Sequence, residues 1–398
     1  MPRPKIAAIV TEHRPNSHGQ HLVDRFLWGY SWQGRHHHPP MDLVSIYVDQ
    51  FGEGDLAVDR AKRFPTMKIY PTIVDALTLG TGKLAVDGVV VIGEHGRYPR
   101  NEKGQMLWPR YEFFMQVVEV FQKSGRSVPV FNDKHLSWNW DWAVEMVDIS
   151  KEMNFPLMAG SSLPVNRRMP PVEISRDAEV EEIIGIAPGG VDGYDIHCLE
   201  AMQCMVERRK GGETGVVALQ ALRNDAVFEA MAKGSWAAGG WDPELFEACL
   251  CRSQTLEPAR EGFNHILPRP EQIPGMLSED AIAYRYEYAD GTRATMLLME
   301  GLIHDFTFAA RLKGEKEPLS LLLFIDGKNP RNFFSPQLNA FEQMVLSGKA
   351  PFPIERTLLT TGLTAAGVES LWLGQKRIET PHLVIRYQPT KESTFWRS

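Results

Sequence analysis

Short apolar runs alternate with amphipathic segments over the first 160 residues. The apolar runs lie at residues 5–10, 43–48, 88–92, 128–131 and 156–160. Helical periodicity separates them at about 19–30, 55–64, 72–79, 109–124 and 137–153. Strands joined through helices of this length predict right-handed βαβ units and a parallel sheet. Residues 1–162 are therefore predicted to form an α/β, Rossmann-like, doubly wound domain.

The pattern changes after a proline-containing stretch at residues 163–171. Apolar runs, several alternating with polar positions, then predict strands at residues 180–187, 281–288, 292–299, 305–312 and 319–325. Asp290-Gly291 separates two of them and is a turn sequence typical of β-hairpins. Helices are predicted within residues 188–207 and at 360–373. Residues 163–398 are thus predicted to form an α+β domain with a largely antiparallel open sheet.

Composition narrows the class of protein. A net charge of -7 over 398 residues argues against nucleic acid as a partner, because phosphate binding needs a basic face. No apolar run approaches the roughly 20 residues that span a bilayer, so no membrane association is expected. Four cysteines do not make a disulfide framework, and the chain shows no signal-peptide core. These features predict a reduced, cytoplasmic protein.

Polar residues follow two of the predicted parallel strands. Asp133, Lys134 and His135 come after the run at 128–131, and Glu94 and His95 come after the run at 88–92. Open α/β sheets bind their ligands at the carboxyl ends of strands, so these residues are predicted to line a pocket. The following helix is predicted to be capped by Ser137.

The loop after the first strand lacks the Gly-x-Gly-x-x-Gly pattern of dinucleotide-binding domains and retains only Gly19. The side chains that can donate hydrogen bonds to a phosphate there are Arg14, Asn16, Ser17 and His18. The alternative is a helix-capping loop that binds no phosphate.

Asp49 ends the second long strand, where a carboxylate binds the ribose hydroxyls of NAD and disfavours the extra phosphate of NADP. An aspartate at a strand end is also a common turn residue.

The strand–turn–helix–strand order around Lys134 resembles the Gfo/Idh/MocA oxidoreductases, named for glucose–fructose oxidoreductase and inositol dehydrogenase. In that family the turn usually reads Glu-Lys-Pro, and here it reads Asp133-Lys134-His135. The lysine matches and the proline does not. The resemblance implies an NAD cofactor, a substrate hydroxyl on a sugar or polyol, and a homodimer or homotetramer.

The same resemblance extends to the start of the second domain. Gly189-Gly190 and His197 match a family segment in which an aspartate and a histidine bind the substrate hydroxyls. The family's aspartate is displaced, with Asp195 among the nearest carboxylates. The resemblance implies that His197 or Lys134 accepts the hydroxyl proton during hydride transfer while the other orients the hydroxyl. Histidine suits proton removal because it titrates near neutral pH.

Three classes of function are compatible with the sequence, and we predict the first, with the second as the alternative. The first is an NAD-dependent dehydrogenase of a carbohydrate-like substrate, with Glu94, His95, Asp133, His135 and Asp195 in the substrate pocket. The second is a metal-assisted lyase, isomerase or hydrolase on the same fold, with a divalent metal bound by residues drawn from His95, His135, His197 and Glu200. The third is a non-catalytic sugar-binding or scaffold protein.

Overall fold

A computed structural model of the chain describes residues 2–257, 267–328 and 330–397. The chain divides into two compact units. One comprises Met1–Val165 and Asp326–Leu358, and the other comprises Asn166–Ile325 and Leu359–Arg397.

Strands and short helices alternate along the first 165 residues. The strands are β1 Lys5–Val10, β2 Tyr30–Trp32, β3 Arg35–His37, β4 Asp42–Val48, β5 Lys68–Ile69, β6 Gly88–Ile92, β7 Val130–Asp133 and β8 Leu157–Gly160. The helices are α1 His18–Trp28, α2 Ala57–Arg63, α3 Ile73–Thr78, α4 Arg110–Ser124 and α5 Trp140–Glu152. This alternation matches the sequence prediction closely.

The rest of the chain carries most of the antiparallel structure. Its strands are β9 Arg168–Met169, β10 Val180–Ala187, β11 Val216–Arg223, β12 Ile282–Tyr288, β13 Arg293–Leu298, β14 Phe306–Leu312, β15 Leu319–Leu323 and β16 Ile378–Glu379. Its helices are α6 Asp195–Val206, α7 Asp225–Lys233, α8 Pro243–Arg252, α9 Ser335–Ser347 and α10 Glu355–Trp372.

The first unit contains a six-stranded sheet in the order β5-β4-β1-β6-β7-β8, with every neighbouring pair parallel. Its core includes apolar residues of β1, β4 and β6 together with Phe334, Leu338 and Phe341. The segment at 326–358 therefore returns to complete this unit, and it brings Phe334 to the sheet.

The second unit contains an eight-stranded sheet in the order β16-β11-β12-β13-β10-β14-β15-β9. β10 and β13 are parallel, and the other neighbouring pairs are antiparallel. The predicted hairpin is confirmed, because β12 pairs with β13 and Gly291 adopts φ +87° at the turn. The predicted combination of a parallel Rossmann-like sheet and a largely antiparallel open sheet is confirmed.

Two local predictions around β7 are wrong. The strand runs to Asp133, because Asn132 and Asp133 pair with Ala159 and Gly160 of β8. The following helix begins at Trp140 and is capped by Asn139, whose side chain accepts a hydrogen bond from the backbone N–H of Trp142 at 3.2 Å. The hydroxyl of Ser137 instead accepts a hydrogen bond from the backbone N–H of Asn139 at 3.1 Å, so it lies in the turn that precedes the cap residue.

Candidate active site at the carboxyl ends of the parallel strands

Three neighbouring strands of the first sheet end in segments with ionisable side chains. β1 and β6 are adjacent, and β7 lies next to β6. The chain after β1 leads to His18 at the start of α1, β6 is followed by Glu94 and His95, and β7 ends at Asp133 before Lys134. Parallel strands end at the same edge of a sheet, so all five residues gather there.

The side chains of these residues are in direct contact. The ammonium Nζ of Lys134 lies 2.6 Å from Oε1 of Glu94. Nδ1 of His18 lies 2.7 Å from Oδ2 of Asp133 and 3.3 Å from Oε2 of Glu94. The ring of His95 packs at 5.7 Å from that of His18. We refer to His18, Glu94, His95, Asp133 and Lys134 as the ionic cluster.

The backbone of the ionic cluster is held in unusual conformations. Lys134 and His95 have φ values of 65° and 70°, in the left-handed region that non-glycine residues seldom adopt. Lys134 is fixed there by two backbone hydrogen bonds with Gly160, of 3.1 and 2.9 Å. Left-handed residues of this kind cost about 1–3 kcal/mol each and concentrate at functional sites.

Burial and charge set the protonation of two members. Burial alone would raise the pKa of Glu94, but the charges of His18 and Lys134 hold that pKa well below its usual value. Burial, opposed by the charge of Glu94, lowers the pKa of His95 to about 4. Glu94 is thus a carboxylate and His95 a neutral imidazole near pH 7.

Two buried atoms of the ionic cluster make no hydrogen bond. They are Oε2 of Glu94 and Nε2 of His95. A buried polar atom without a partner costs about 1–3 kcal/mol, so native structures nearly always satisfy such atoms with protein, water or a ligand.

A phenylalanine that the sequence did not indicate borders the ionic cluster. The ring of Phe334 contacts that of His18 edge-on at 4.8 Å and stacks on that of His21 at 5.0 Å. Burial lowers the pKa of His21 to about 3. More than 300 residues separate Phe334 from α1, so no local pattern could have identified it.

Three of the predicted phosphate ligands in the loop between β1 and α1 form hydrogen bonds within the protein. Arg14, a predicted phosphate ligand, donates to the carboxylate of Glu12 at 2.8 Å. The Ser17 hydroxyl caps α1 by accepting from the N–H of Gln20 at 3.0 Å, and it donates to the carbonyl of Arg14 at 2.7 Å. The N–H of Asn16 donates to the Gln20 side chain at 2.7 Å.

Gly19 is required in this loop for close packing. A Cβ atom at this position would lie 2.5 Å from the carbonyl oxygen of Glu12. The one glycine retained from the dinucleotide pattern therefore lets α1 approach the loop backbone.

Asp49 lies at the end of β4, as predicted, and both of its carboxylate oxygens accept hydrogen bonds. Oδ1 accepts from the hydroxyl of Tyr47 at 2.8 Å, and Oδ2 accepts from that of Tyr98 at 2.7 Å. Next to it, the Gln50 side chain accepts from the N–H of Arg97 at 2.9 Å. The chain that follows β6 is thereby tied to the end of β4. Tyr98 was missed from the sequence, where its only signal was an aromatic residue in a polar loop.

His135 lies beside Arg110 within the first unit. Nη1 of Arg110 is 3.0 Å from Nε2 of His135, and both side chains are buried. A Cβ atom on Gly93 would lie 2.6 Å from Cγ of Arg110, so Gly93 makes room for this arginine. His135 therefore contacts a buried cation.

The remaining predicted residues lie on α6 in the second unit. Asp195 is buried and accepts from the Tyr284 hydroxyl at 3.1 Å. Glu200 is buried and accepts from the Thr360 hydroxyl at 2.7 Å. The half-buried ring of His197 packs between Tyr194 and Phe306, at 6.0 and 6.2 Å.

Solved structures with the same fold span nearly the whole chain. They include myo-inositol dehydrogenase from Lactobacillus casei in complex with NAD(H) and myo-inositol, with 13% identity, a TM-score of 0.55, and coverage of 99% of this chain and 100% of that one. For myo-inositol 2-dehydrogenase from Lactobacillus plantarum the identity is 10%, the TM-score 0.56 and the coverage 95% and 99%. For GenD2 from gentamicin A biosynthesis in complex with NAD, they are 13%, 0.57, and 95% and 97%.

The predicted resemblance is confirmed at the level of the fold: the chain has the fold of Gfo/Idh/MocA inositol dehydrogenases. At these identities the likeness is one of fold. No family model and no curated protein matches the sequence. Within the described residues, no helix combines the length and apolarity needed to cross a membrane.

Proposed function

We propose that the protein is an enzyme that acts on a carbohydrate-like small molecule by proton transfer at the ionic cluster, without hydride transfer. The substrate class is suggested by structural neighbours that bind or act on inositol. The proposed reaction is that of a lyase, an isomerase or a hydrolase. The observation that carries the proposal is the ionic cluster itself, in which Lys134 and Glu94 are paired at 2.6 Å beside two buried atoms that form no hydrogen bond.

Lys134 is the proposed proton-transferring and charge-stabilising residue. Its side chain is almost fully buried, and Glu94 together with the left-handed backbone fixes its position. A cation held in a site with little water stabilises an alkoxide or enolate far better than it would in solution. His197 remains a second candidate for proton transfer, as the family resemblance implies.

The described loop fits a dinucleotide poorly. The side chains predicted to bind the pyrophosphate are engaged within the protein: Arg14 by Glu12, Ser17 by the start of α1, and His18 by Asp133. The carboxylates of Glu12, Glu94 and Asp133 lie around the same strand ends and would repel a phosphate. Both oxygens of Asp49, the predicted ribose ligand, already accept from tyrosines.

The second candidate is an NAD-dependent oxidoreductase acting on a hydroxyl of a sugar or polyol. It is favoured by the fold, since two of the structural neighbours were solved with NAD or NAD(H). Asp49 at the end of β4 would select NAD over NADP. This candidate requires Arg14, Ser17 and Tyr98 to exchange their internal partners for the nucleotide.

A turnover experiment distinguishes the two candidates. Purified protein is incubated with a panel of sugars, keto-sugars and inositols in D₂O, with and without NAD, and the products are followed by NMR. Deuterium incorporation or product formation without nucleotide supports proton transfer. Turnover that depends strictly on NAD, or stoichiometric NAD released from denatured protein, would establish the oxidoreductase instead.

A matched pair of variants assigns the chemistry to the ionic cluster. Lys134→Met is expected to lower turnover by roughly 100-fold or more, in the range typical of a general acid or base. Lys123→Met is the control, because Lys123 is an exposed lysine on α4. Equal activity in both variants would remove Lys134 from the mechanism.

A further inference from the structure

We infer that His18, Glu94 and His95 bind a divalent transition-metal ion. Each residue offers one ligand atom, and the three atoms lie within 4.8 Å of one another. Ligand distances of about 2.0–2.2 Å let two ligand atoms of one ion lie at most about 4.4 Å apart, so the side chains would draw slightly closer together on binding an ion. A catalytic role for this metal rests on the proposed function. Metal binding itself can be tested separately.

The unsatisfied atoms give independent support for an ion. Oε2 of Glu94 and Nε2 of His95 are buried and form no hydrogen bond, although both belong to the same three-residue group. Oε2 of Glu94 lies 3.3 Å from Nδ1 of His18 without accepting a hydrogen bond from it. A cation would satisfy both atoms at once and remove the cost of leaving them unpaired.

Neighbouring residues orient the ligands as they do in known metal sites. Asp133 engages Nδ1 of His18 at 2.7 Å and holds the ring beside Glu94. Carboxylate–histidine–metal arrangements of this kind fix the tautomer and the orientation of the ring. Lys134 engages Oε1 of Glu94 at 2.6 Å and leaves Oε2 available.

The ligand types indicate which ions fit. Two imidazoles with one carboxylate suit Zn²⁺, Mn²⁺, Fe²⁺ or Co²⁺, whereas Mg²⁺ and Ca²⁺ prefer oxygen ligands. Three protein ligands leave at least one coordination position for water or a substrate oxygen. The ligand class would therefore be an oxygen donor such as a hydroxyl or carbonyl of a carbohydrate.

Metal binding is tested on full-length protein stripped with a chelator and titrated with Co²⁺ by absorption spectroscopy, without substrate. We expect one ion per chain at the cluster, with a spectrum showing imidazole coordination. Glu94→Gln and His95→Gln should each weaken binding by about 100-fold or more, and Asp133→Asn by about 10–100-fold. Absence of stoichiometric binding to the wild-type protein would overturn the inference.

Exposed histidines provide the matched control. The rings of His36 and His38 lie 4.6 Å apart on the surface and form an alternative metal-binding pair. The double variant His36→Asn/His38→Asn should bind Co²⁺ with unchanged affinity. If that variant loses the ion and Glu94→Gln keeps it, the inference is wrong.

A measurement on the wild-type protein covers the case in which cluster variants fail to fold. Pulsed EPR of the Mn²⁺-loaded protein should detect two imidazole nitrogens that persist in the His36→Asn/His38→Asn protein, and their absence would refute the site.

Turnover in the presence of a chelator separates the two proposals. Nucleotide-free turnover by metal-free protein refutes a catalytic metal and leaves the proposed function intact, whereas strictly NAD-dependent turnover refutes the proposed function and leaves metal binding intact.

Discussion

Two halves of one sheet edge differ in how their polar groups are satisfied. At the ends of β1 and β4, Arg14, Ser17 and Asp49 each have partners within the protein. At the end of β6, Glu94 and His95 keep buried atoms without a hydrogen bond. We call these the closed half and the open half.

The difference teaches where a ligand is needed. Both halves lie where a doubly wound fold places its ligands, so topology alone treats them alike. The predicted ligand residues separate them: Glu94 and His95 keep buried atoms without a hydrogen bond, whereas Arg14, Ser17 and Asp49 would first have to lose their partners. His13 in the closed half also has two buried ring nitrogens without a hydrogen bond, so the contrast concerns the predicted ligand residues alone.

The largest expected effect comes from breaking the pair in the open half. Glu94→Gln in metal-free protein should lower the free energy of unfolding by about 3–5 kcal/mol, because it removes the carboxylate that pairs with the buried Lys134 ammonium at 2.6 Å. The double variant Glu94→Gln/Lys134→Met should recover much of the loss, as urea unfolding would measure. A loss under 1 kcal/mol would mean that the pair behaves like a solvated surface pair, and the contrast between the halves would fail.

The closed half contains a pH-dependent contribution at His13. This histidine is fully buried, and burial lowers its pKa from 6.5 to about 4. Between these values the unfolded chain binds the proton more readily than the folded protein, so stability is lost as pH falls from 6.5 to 4. His13→Gln should reduce this loss by up to about 3 kcal/mol in denaturant unfolding across that window. Above pH 6.5 the two pH profiles should run parallel, and a difference in slope there would contradict the assignment.

Ser17 tests whether the closed half serves structure alone. Ser17→Ala removes the cap of α1 and should lower the free energy of unfolding by about 1–2 kcal/mol. Turnover without nucleotide should stay at the wild-type level, because the hydroxyl is engaged by the helix and the Arg14 carbonyl. A selective loss of NAD binding in this variant would assign Ser17 to a phosphate instead.

The smallest expected effect is at Tyr98. Tyr98→Phe removes one hydrogen bond to Asp49 and should cost about 1 kcal/mol in thermal unfolding. Calorimetric titration should show no gain in NAD affinity, because Arg14 and Ser17 in the loop after β1 keep their hydrogen bonds within the protein. If the variant binds NAD where the wild type does not, the tyrosine is what keeps nucleotide from the closed half.

Much of the fold could be predicted from hydrophobic periodicity. The runs at 5–10 and 88–92 coincide with β1 and β6 because strands buried on both faces exclude polar residues. Boundaries near polar residues were less accurate. Asp133 reads as a turn residue, yet pairing with β8 draws it into the strand.

The candidate site was predicted in part. Glu94, His95, Asp133 and Lys134 follow strands, so sequence order and parallel topology sufficed to bring them together. His18 was predicted as a phosphate ligand, and the structure pairs it with Asp133, 115 residues away.

The sequence by itself determined which residues follow each strand, since local periodicity marks strand ends without knowledge of tertiary contacts. Only the tertiary structure decided which of those residues satisfy one another. Hydrogen-bond partners such as Tyr98 for Asp49 and ring contacts such as Phe334 on His18 join distant segments. Such pairings depend on how side chains from several loops are oriented in space. The pattern of apolar and polar residues along the chain describes local structure and does not determine those orientations.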